Sequence, residues 1–293
     1  MMAWCSLAVA VLACSTAVIL IKASHTPPVW LAAERLLLAA IVLSPLAFRD
    51  ARKAEANPGW WRTALWPGLF LAAHFSAWAA GARMIPAANS TLIANFIPVV
   101  MPAVALLLLR ERASTLELAA TAVGVAGVAF LAIGDIHGGP GLLLGNTLCV
   151  LAMIALAIYL ALSRRLMRGS LWLYVVPLYA IAGMVCAATA LALEGPPPLP
   201  AAGEAVLVVA LACVPTVIGH SLMNRAMGLL RPQAVSIAAL GNVPLAAVMA
   251  WMLWGEVPSS AFWVAGVACV IAIAMVMAPS LRPSCHVPAA EVR

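Results

Sequence analysis

Charge is what this sequence has least of. Only 9% of its 293 residues are Asp, Glu, Lys or Arg, and only 6% are aromatic, whereas soluble domains carry about 25% charged residues. Such a chain cannot cover a globular surface with solvated groups, so a soluble domain is excluded. Acidic residues are absent from the middle third of every apolar stretch, which disfavours a proton relay through a central carboxylate. Histidine remains open for that purpose, as does transport down a solute gradient. No GxSxG, no HExxH and no facing pair of aspartates appears, so the chain offers no catalytic set, and an intramembrane enzyme is the remote alternative. Seven cysteines show no CxxC or Cys/His spacing. They read as small packing residues, and no metal or other cofactor is expected. The first apolar stretch lacks a basic n-region, and Ser24-His25-Thr26-Pro27 is a poor cleavage site, so it counts as a span rather than a signal peptide.

What is present is hydrophobicity. The chain is 65% hydrophobic, with a mean hydropathy of +1.07. Its apolar runs approach the ~20 residues that cross about 30 Å of hydrocarbon. The expected fold is an all-α polytopic membrane protein with ten spans, roughly 3–21, 29–48, 62–81, 87–109, 114–133, 142–161, 171–193, 203–227, 232–254 and 259–279. Turn signals such as Thr26-Pro27-Pro28, Asn57-Pro58-Gly59 and Gly195-Pro196-Pro197-Pro198 separate them. The net charge of +6 does not mark a nucleic-acid partner, because the basic residues sit in the links. With a cytoplasmic N-terminus, one side holds twelve: Arg49, Arg52, Lys53, Arg62, Arg110, Arg112, Arg164, Arg165, Arg168, Arg231, Arg282 and Arg293. The other side holds two, Lys22 and Arg83, while Arg35 and Arg225 fall within spans. The positive-inside rule then puts both termini in the cytoplasm.

The chain also repeats itself. At an offset of 146 (220 − 74), His74 falls on His220, Pro86 on Pro232, Ser90 on Ser236 and Pro98 on Pro244; past a one-residue gap, Glu111 meets Glu256. Ten spans in two similar halves give five per half. Because five is odd, the second half enters the membrane upside down. The expected units are 1–136 and 140–279 as inverted five-helix repeats, with 280–293 as a cytoplasmic tail. Inverted repeats with proline-interrupted spans place a solute site near the midplane, at the repeat interface. The first, third, fourth, sixth, eighth and ninth spans should line it.

Polar residues inside spans are costly and face the bundle interior or a cavity. His74 with Trp78, and His220 with Asn224, are each four apart and share a helix face. They line a pathway or, alternatively, lock neighbouring helices together. Ser90 and Asn95 in the fourth span stand against Ser236 and Asn242 in the ninth, and serve a solute or helix packing. Pro98 and Pro244 each free a backbone carbonyl and are the candidate hinges or, alternatively, static kinks. Tyr159 is a cavity-wall candidate or an interfacial anchor. Trp60, Trp61, Trp66, Trp172, Trp254 and Trp263 read as belt residues. Glu34-Arg35 reads as an internal salt bridge or a gating contact. Glu111 and Glu256 should pair with arginines such as Arg110 or Arg112, or cap the next helix.

Four stretches carry a family resemblance: Glu34-Arg35-Leu36-Leu37-Leu38-Ala39-Ala40; Asn95-Phe96-Ile97-Pro98 running to Arg110-Glu111-Arg112; Gly219-His220-Ser221-Leu222-Met223-Asn224-Arg225-Ala226; and Asn242-Val243-Pro244 to Trp254-Gly255-Glu256. With these, the chain resembles the EamA-type ten-helix exporters of the drug/metabolite transporter superfamily, over essentially its whole length. The resemblance implies a multi-pass protein of the bacterial inner (plasma) membrane, a monomer or weak homodimer, whose partners are the lipid bilayer and a small-molecule solute. Members export amino acids, metabolites, nucleobases or drugs. The chain is compatible with the aromatic-amino-acid exporter branch, with multidrug or metabolite efflux as the alternative. Few Lys or Arg could face a cavity, which weighs against phosphorylated solutes.

Overall fold

The computed structural model describes residues 2–53, 59–133, 140–197, 201–255 and 260–281. All secondary structure among them is helical. The helices assemble into ten segments: α1 (Met2–Ala23), α2 (Pro28–Lys53), α3 (Leu65–Met84), α4 (Ala87–Leu109), α5 (Thr115–Ile133), α6 (Pro140–Leu166), α7 (Leu171–Leu193), α8 (Ala202–Leu229), α9 (Pro232–Trp254) and α10 (Ser260–Leu281). Seven of them, α1, α2, α4, α6, α7, α8 and α9, are long and apolar enough to cross a membrane. α3 falls outside that set because it spends positions on Pro67, His74, Ser76 and Arg83. The apolar stretches of α5 and α10, Thr115–Gly127 and Gly266–Ala278, are shorter. Glu256, Arg282 and Arg293 lie outside the described residues.

The exterior is greasy: Ile41, Leu107, Leu143, Val206 and Met252 are all exposed. Apolar surface on this scale needs lipid to cover it. The interior is built from alanine and glycine, which let helix backbones approach closely. At the α3–α6 crossing, a Cβ on Gly81 would stand 2.8 Å from the carbonyl oxygen of Gly145.

The packing has a symmetry of its own. α2 packs on α7, α4 on α9, α5 on α10, α1 on α8 and α3 on α6. Exchanging each segment for the one five places on maps this set onto itself. The same exchange relates the ends of α4 and α9. Arg110 and Gly255 both close their helices in the left-handed conformation, at φ 60° and 69°. Glycine takes that conformation freely, whereas arginine takes it at a cost of about 1–2 kcal/mol.

The links fall into two groups. Glu204 of α8 accepts from Ser24 Oγ (2.6 Å) and from Thr26 Oγ1 (3.0 Å) in the α1–α2 link. Glu194, at the end of α7, accepts from the backbone N–H groups of Val29 and Trp30 (3.0 Å each), capping the N-terminus of α2. Lys22 Nζ donates to the Ile85 carbonyl in the α3–α4 link (3.1 Å). The other group meets at Arg164, whose Nε pairs with Glu111 (2.8 Å) and whose Nη1 donates to the carbonyls of Met227 (2.7 Å) and Leu230 (2.6 Å). Glu111 therefore pairs with the end of α6 and not with its chain neighbours Arg110 and Arg112; the left-handed turn at Arg110 redirects the chain just before it. Arg231 pairs with Glu117 (3.0 Å) and Ser170 with Asp50 (2.5 Å). Glu117 also completes a capping box with Ser114 at the start of α5. Every one of these contacts joins odd-numbered links to odd, or even to even.

Candidate functional site

Four segments depart from the α-helical ladder, and they do so around one cavity. α1 is interrupted at Thr16, α4 at Asn95-Phe96, and α9 at Leu240-Gly241, while residues 212–220 of α8 form a π-helical turn. Proline explains three of these. Pro98 has no N–H, and Phe96 instead closes a tight turn onto the Ile93 carbonyl (3.1 Å). Pro244 likewise cannot serve the Leu240 carbonyl, which accepts from Val243 N–H instead (3.1 Å). Pro215 deprives the Leu211 carbonyl, and the Thr216 hydroxyl takes it over (2.8 Å). Pro102 leaves the Pro98 carbonyl without its helical donor; Gln233 Nε2 supplies one from α9 (3.1 Å).

The cavity is lined by Cys14, Ser15, Ala17 and Val18 of α1, His74 and Trp78 of α3, and Thr91, Ala94, Asn95 and Ile97 of α4. Leu156 and Leu160 of α6, His220 and Met223 of α8, and Ala239 and Asn242 of α9 complete it. These are the six segments expected from the sequence. The space left for the centres of water molecules is about 40 Å³, enough for a few waters and far too little for an amino acid.

His74 Nδ1 lies 2.9 Å from the Ala152 carbonyl. A carbonyl only accepts, so Nδ1 carries the proton and Nε2 is left as the acceptor of the neutral ring. The ring stacks on Trp78 (centroids 5.8 Å apart, 15° between planes) and meets His220 at 6.3 Å. The two breaks touch directly: Asn242 Nδ2 donates to Asn95 Oδ1 (2.8 Å), and Asn95 Nδ2 donates to the Thr91 carbonyl (2.8 Å). Several buried polar atoms on this wall have no protein partner: Trp78 Nε1, Thr91 Oγ1, His220 Nδ1 and Asn242 Oδ1.

The remaining candidates are arranged differently. Asn224 sits behind His220, donating to its carbonyl (2.8 Å) and to the hydroxyl of the fully buried Tyr159. Tyr159 is thus an interior residue under the cavity wall and not an interfacial one. Ser90 and Ser236 are fully buried and bond back to the carbonyls of Ala87 (3.1 Å) and Gln233 (2.9 Å), three residues earlier, away from the lining. Pro98 is buried and Pro244 half-buried beside their breaks. Arg35 does not pair with Glu34, since adjacent helix residues do not face one another. It turns into the core, 1% exposed, and its Nε donates to Thr216 Oγ1 (2.9 Å). Thr216 and Tyr179, whose hydroxyl reaches Ser221 Oγ (3.0 Å), went unnoticed in the sequence. Pro215-Thr216 inside an apolar run was the available signal. Among the described residues no group of His, Cys, Asp and Glu is arranged to hold a metal.

The model of the EamA-like transporter family matches this chain twice, over residues 1–133 and 143–278. The chain belongs to the EamA-like transporter family. The two matches leave out the link around residue 138 and the tail, and each covers five of the helical segments. A solved crystal structure that is 20% identical in sequence superposes with a TM-score of 0.77, covering 96% of this chain and 99% of the other; at that identity the likeness concerns the fold. Among functionally curated proteins none matches. This EamA-like protein is therefore a multi-pass membrane transporter, consistent with solute export.

Proposed function

We propose that this EamA-like protein exports small amphipathic organic solutes, with aromatic and apolar amino acids the leading class, by alternating access through the cavity between its two halves. The observation that carries the reading is the cavity itself. It lies where α1, α4, α8 and α9 all leave the α-helical ladder, it is walled by both matched halves, and it carries buried polar atoms without partners. An apolar wall with a few polar points suits a solute with an apolar body and a polar head. In this account ten segments cross the bilayer of the bacterial inner membrane as two inverted five-helix repeats with both termini cytoplasmic. The separation of the links into odd and even groups supports that topology, as does the concentration of arginine on the even side. The protein works as a monomer or weak homodimer.

The space in the cavity is too small for an amino acid, so the breaks must move before a solute can enter. His74, Trp78, Asn95, His220 and Asn242 touch the solute; Tyr159 and Asn224 hold His220, Ser90 and Ser236 shape the α4 and α9 faces, and Pro98 and Pro244 are the bend points. The test is efflux from proteoliposomes loaded with a mixture of labelled amino acids, with and without a pH gradient. Selective loss of Phe, Trp and other apolar amino acids is expected. His74→Ala and His220→Ala should each slow it about tenfold, as loss of one buried hydrogen-bonding group does, with membrane insertion intact. Normal efflux in both single variants and the double variant would overturn the assignment. If no amino acid moves but a drug or metabolite raises the thermal midpoint, the substrate class shifts to multidrug or metabolite efflux.

A further inference from the structure

Among the described residues Arg35 is the largest fully buried side chain. A guanidinium in such a place is expensive unless a counter-charge meets it, yet none of the ion pairs among the described residues includes it. Its surroundings are neutral. Nε donates to Thr216 Oγ1, and its Cζ lies 4.3 Å from the centroid of the Phe75 ring. Nη1 and Nη2 are buried and have no partner. The group is held from one edge and one face, with its remaining donors idle. Thr216 fixes that edge because its own hydroxyl proton is committed to the Leu211 carbonyl. A planar guanidinium presented in this way matches a carboxylate, which accepts two parallel N–H bonds.

The idle donors lie one ring back from the cavity. Phe75 touches Arg35 on one side and meets the cavity-lining His220 at 4.9 Å and His74 at 5.0 Å on others. A cavity with room for a few waters must enlarge to take any solute, and a turn of Phe75 enlarges it toward Arg35. The complementary groups are already in place. Asn242 Oδ1, on the cavity wall, is a buried acceptor without a partner, suited to an ammonium. Trp78, Ile97, Leu156 and Met223 suit an apolar side chain.

We infer that Arg35 is the carboxylate-binding group of the solute site, reached when Phe75 turns aside, so that the site selects zwitterionic amino acids over their uncharged or purely cationic analogues. This rests on the exporter reading above and names the group that decides its substrate. The test compares efflux of labelled L-phenylalanine, L-phenylalaninamide and phenethylamine from proteoliposomes carrying the full chain, its R35Q variant or its R35M variant. Methionine fills the volume without a charge, and replacing an unpaired buried charge by an apolar group is well tolerated, so R35M should keep the wild-type thermal midpoint or raise it. The wild type should move phenylalanine at least about tenfold faster than either analogue, as sites built around a buried polar group do. R35Q and R35M should bring all three to within about twofold of one another by slowing phenylalanine alone. A wild-type preference retained in R35M would overturn the inference, and a lowered midpoint with that preference intact would make Arg35 a structural residue. A wild type that moves all three alike leaves the exporter reading standing and overturns only the role of Arg35. A wild type that moves none of them overturns the amino-acid reading, and this inference with it.

Discussion

The bond from Asn242 Nδ2 to Asn95 Oδ1 joins the two breaks, and its energy is measurable. A double-mutant cycle of Asn95→Ala and Asn242→Ala in unfolding experiments should return a coupling of about 0.6–1.7 kcal/mol, the range found for hydrogen bonds between membrane helices. A coupling near zero would mean that the breaks do not hold each other. At this scale the sequence was legible wherever a local spacing carried the information. His74 with Trp78, four residues on, could be read as sharing a face, and they stack. Arg35 could not be read in the same way. Glu34 beside it invited an ion pair, whereas its true partner, Thr216, is 181 residues away. Only the packing of α2 against the π-helical turn of α8 brings those two together. The pairing of Glu111 with Arg164 was hidden for the same reason.

At the scale of single elements, proline chemistry explains three of the four interruptions. The carbonyls of Leu240, Leu211 and Pro98, left without a donor by Pro244, Pro215 and Pro102, are satisfied by a tighter turn, a hydroxyl and a neighbouring amide. Restoring the donor should therefore stiffen the segment. Pro98→Ala and Pro244→Ala should each favour the straight helix by about 1 kcal/mol, the worth of one hydrogen bond. That shifts an open–closed equilibrium by a factor of about five. Slower efflux at an unchanged or higher thermal midpoint is the expected outcome; a lower midpoint at wild-type efflux would make the prolines packing residues rather than hinges. Positions of the interruptions in α4 and α9 were legible, because proline announces itself. The interruption of α1 at Thr16 was not. Nor was the π-helical turn: Pro215 marked the place, but an extra residue per turn becomes visible only once Thr216 is seen to serve the Leu211 carbonyl. The start of α3 was also misplaced by about three residues, since Trp60–Ala64 forms a separate tight turn before it.

For the whole molecule, composition alone named a multi-pass helical membrane protein, because nothing else tolerates so little charge. Repetition at a fixed offset divides the sequence into halves, and the family model matches residues 1–133 and 143–278. Cavity size was beyond the sequence, since it depends on how far the breaks have closed. The central claim is that this cavity is a pathway open in turn to each side of the membrane. Ala94 and Ala239 stand on its wall in α4 and α9, so a single cysteine at either place, in a chain freed of its own cysteines, reports access. The measurement is its labelling by a membrane-impermeant maleimide applied from each side of oriented vesicles, with and without L-phenylalanine. The account expects slow labelling of both positions from both sides, slowed further by the amino acid. Labelling from one side only, unaffected by solute, or none from either side would contradict it.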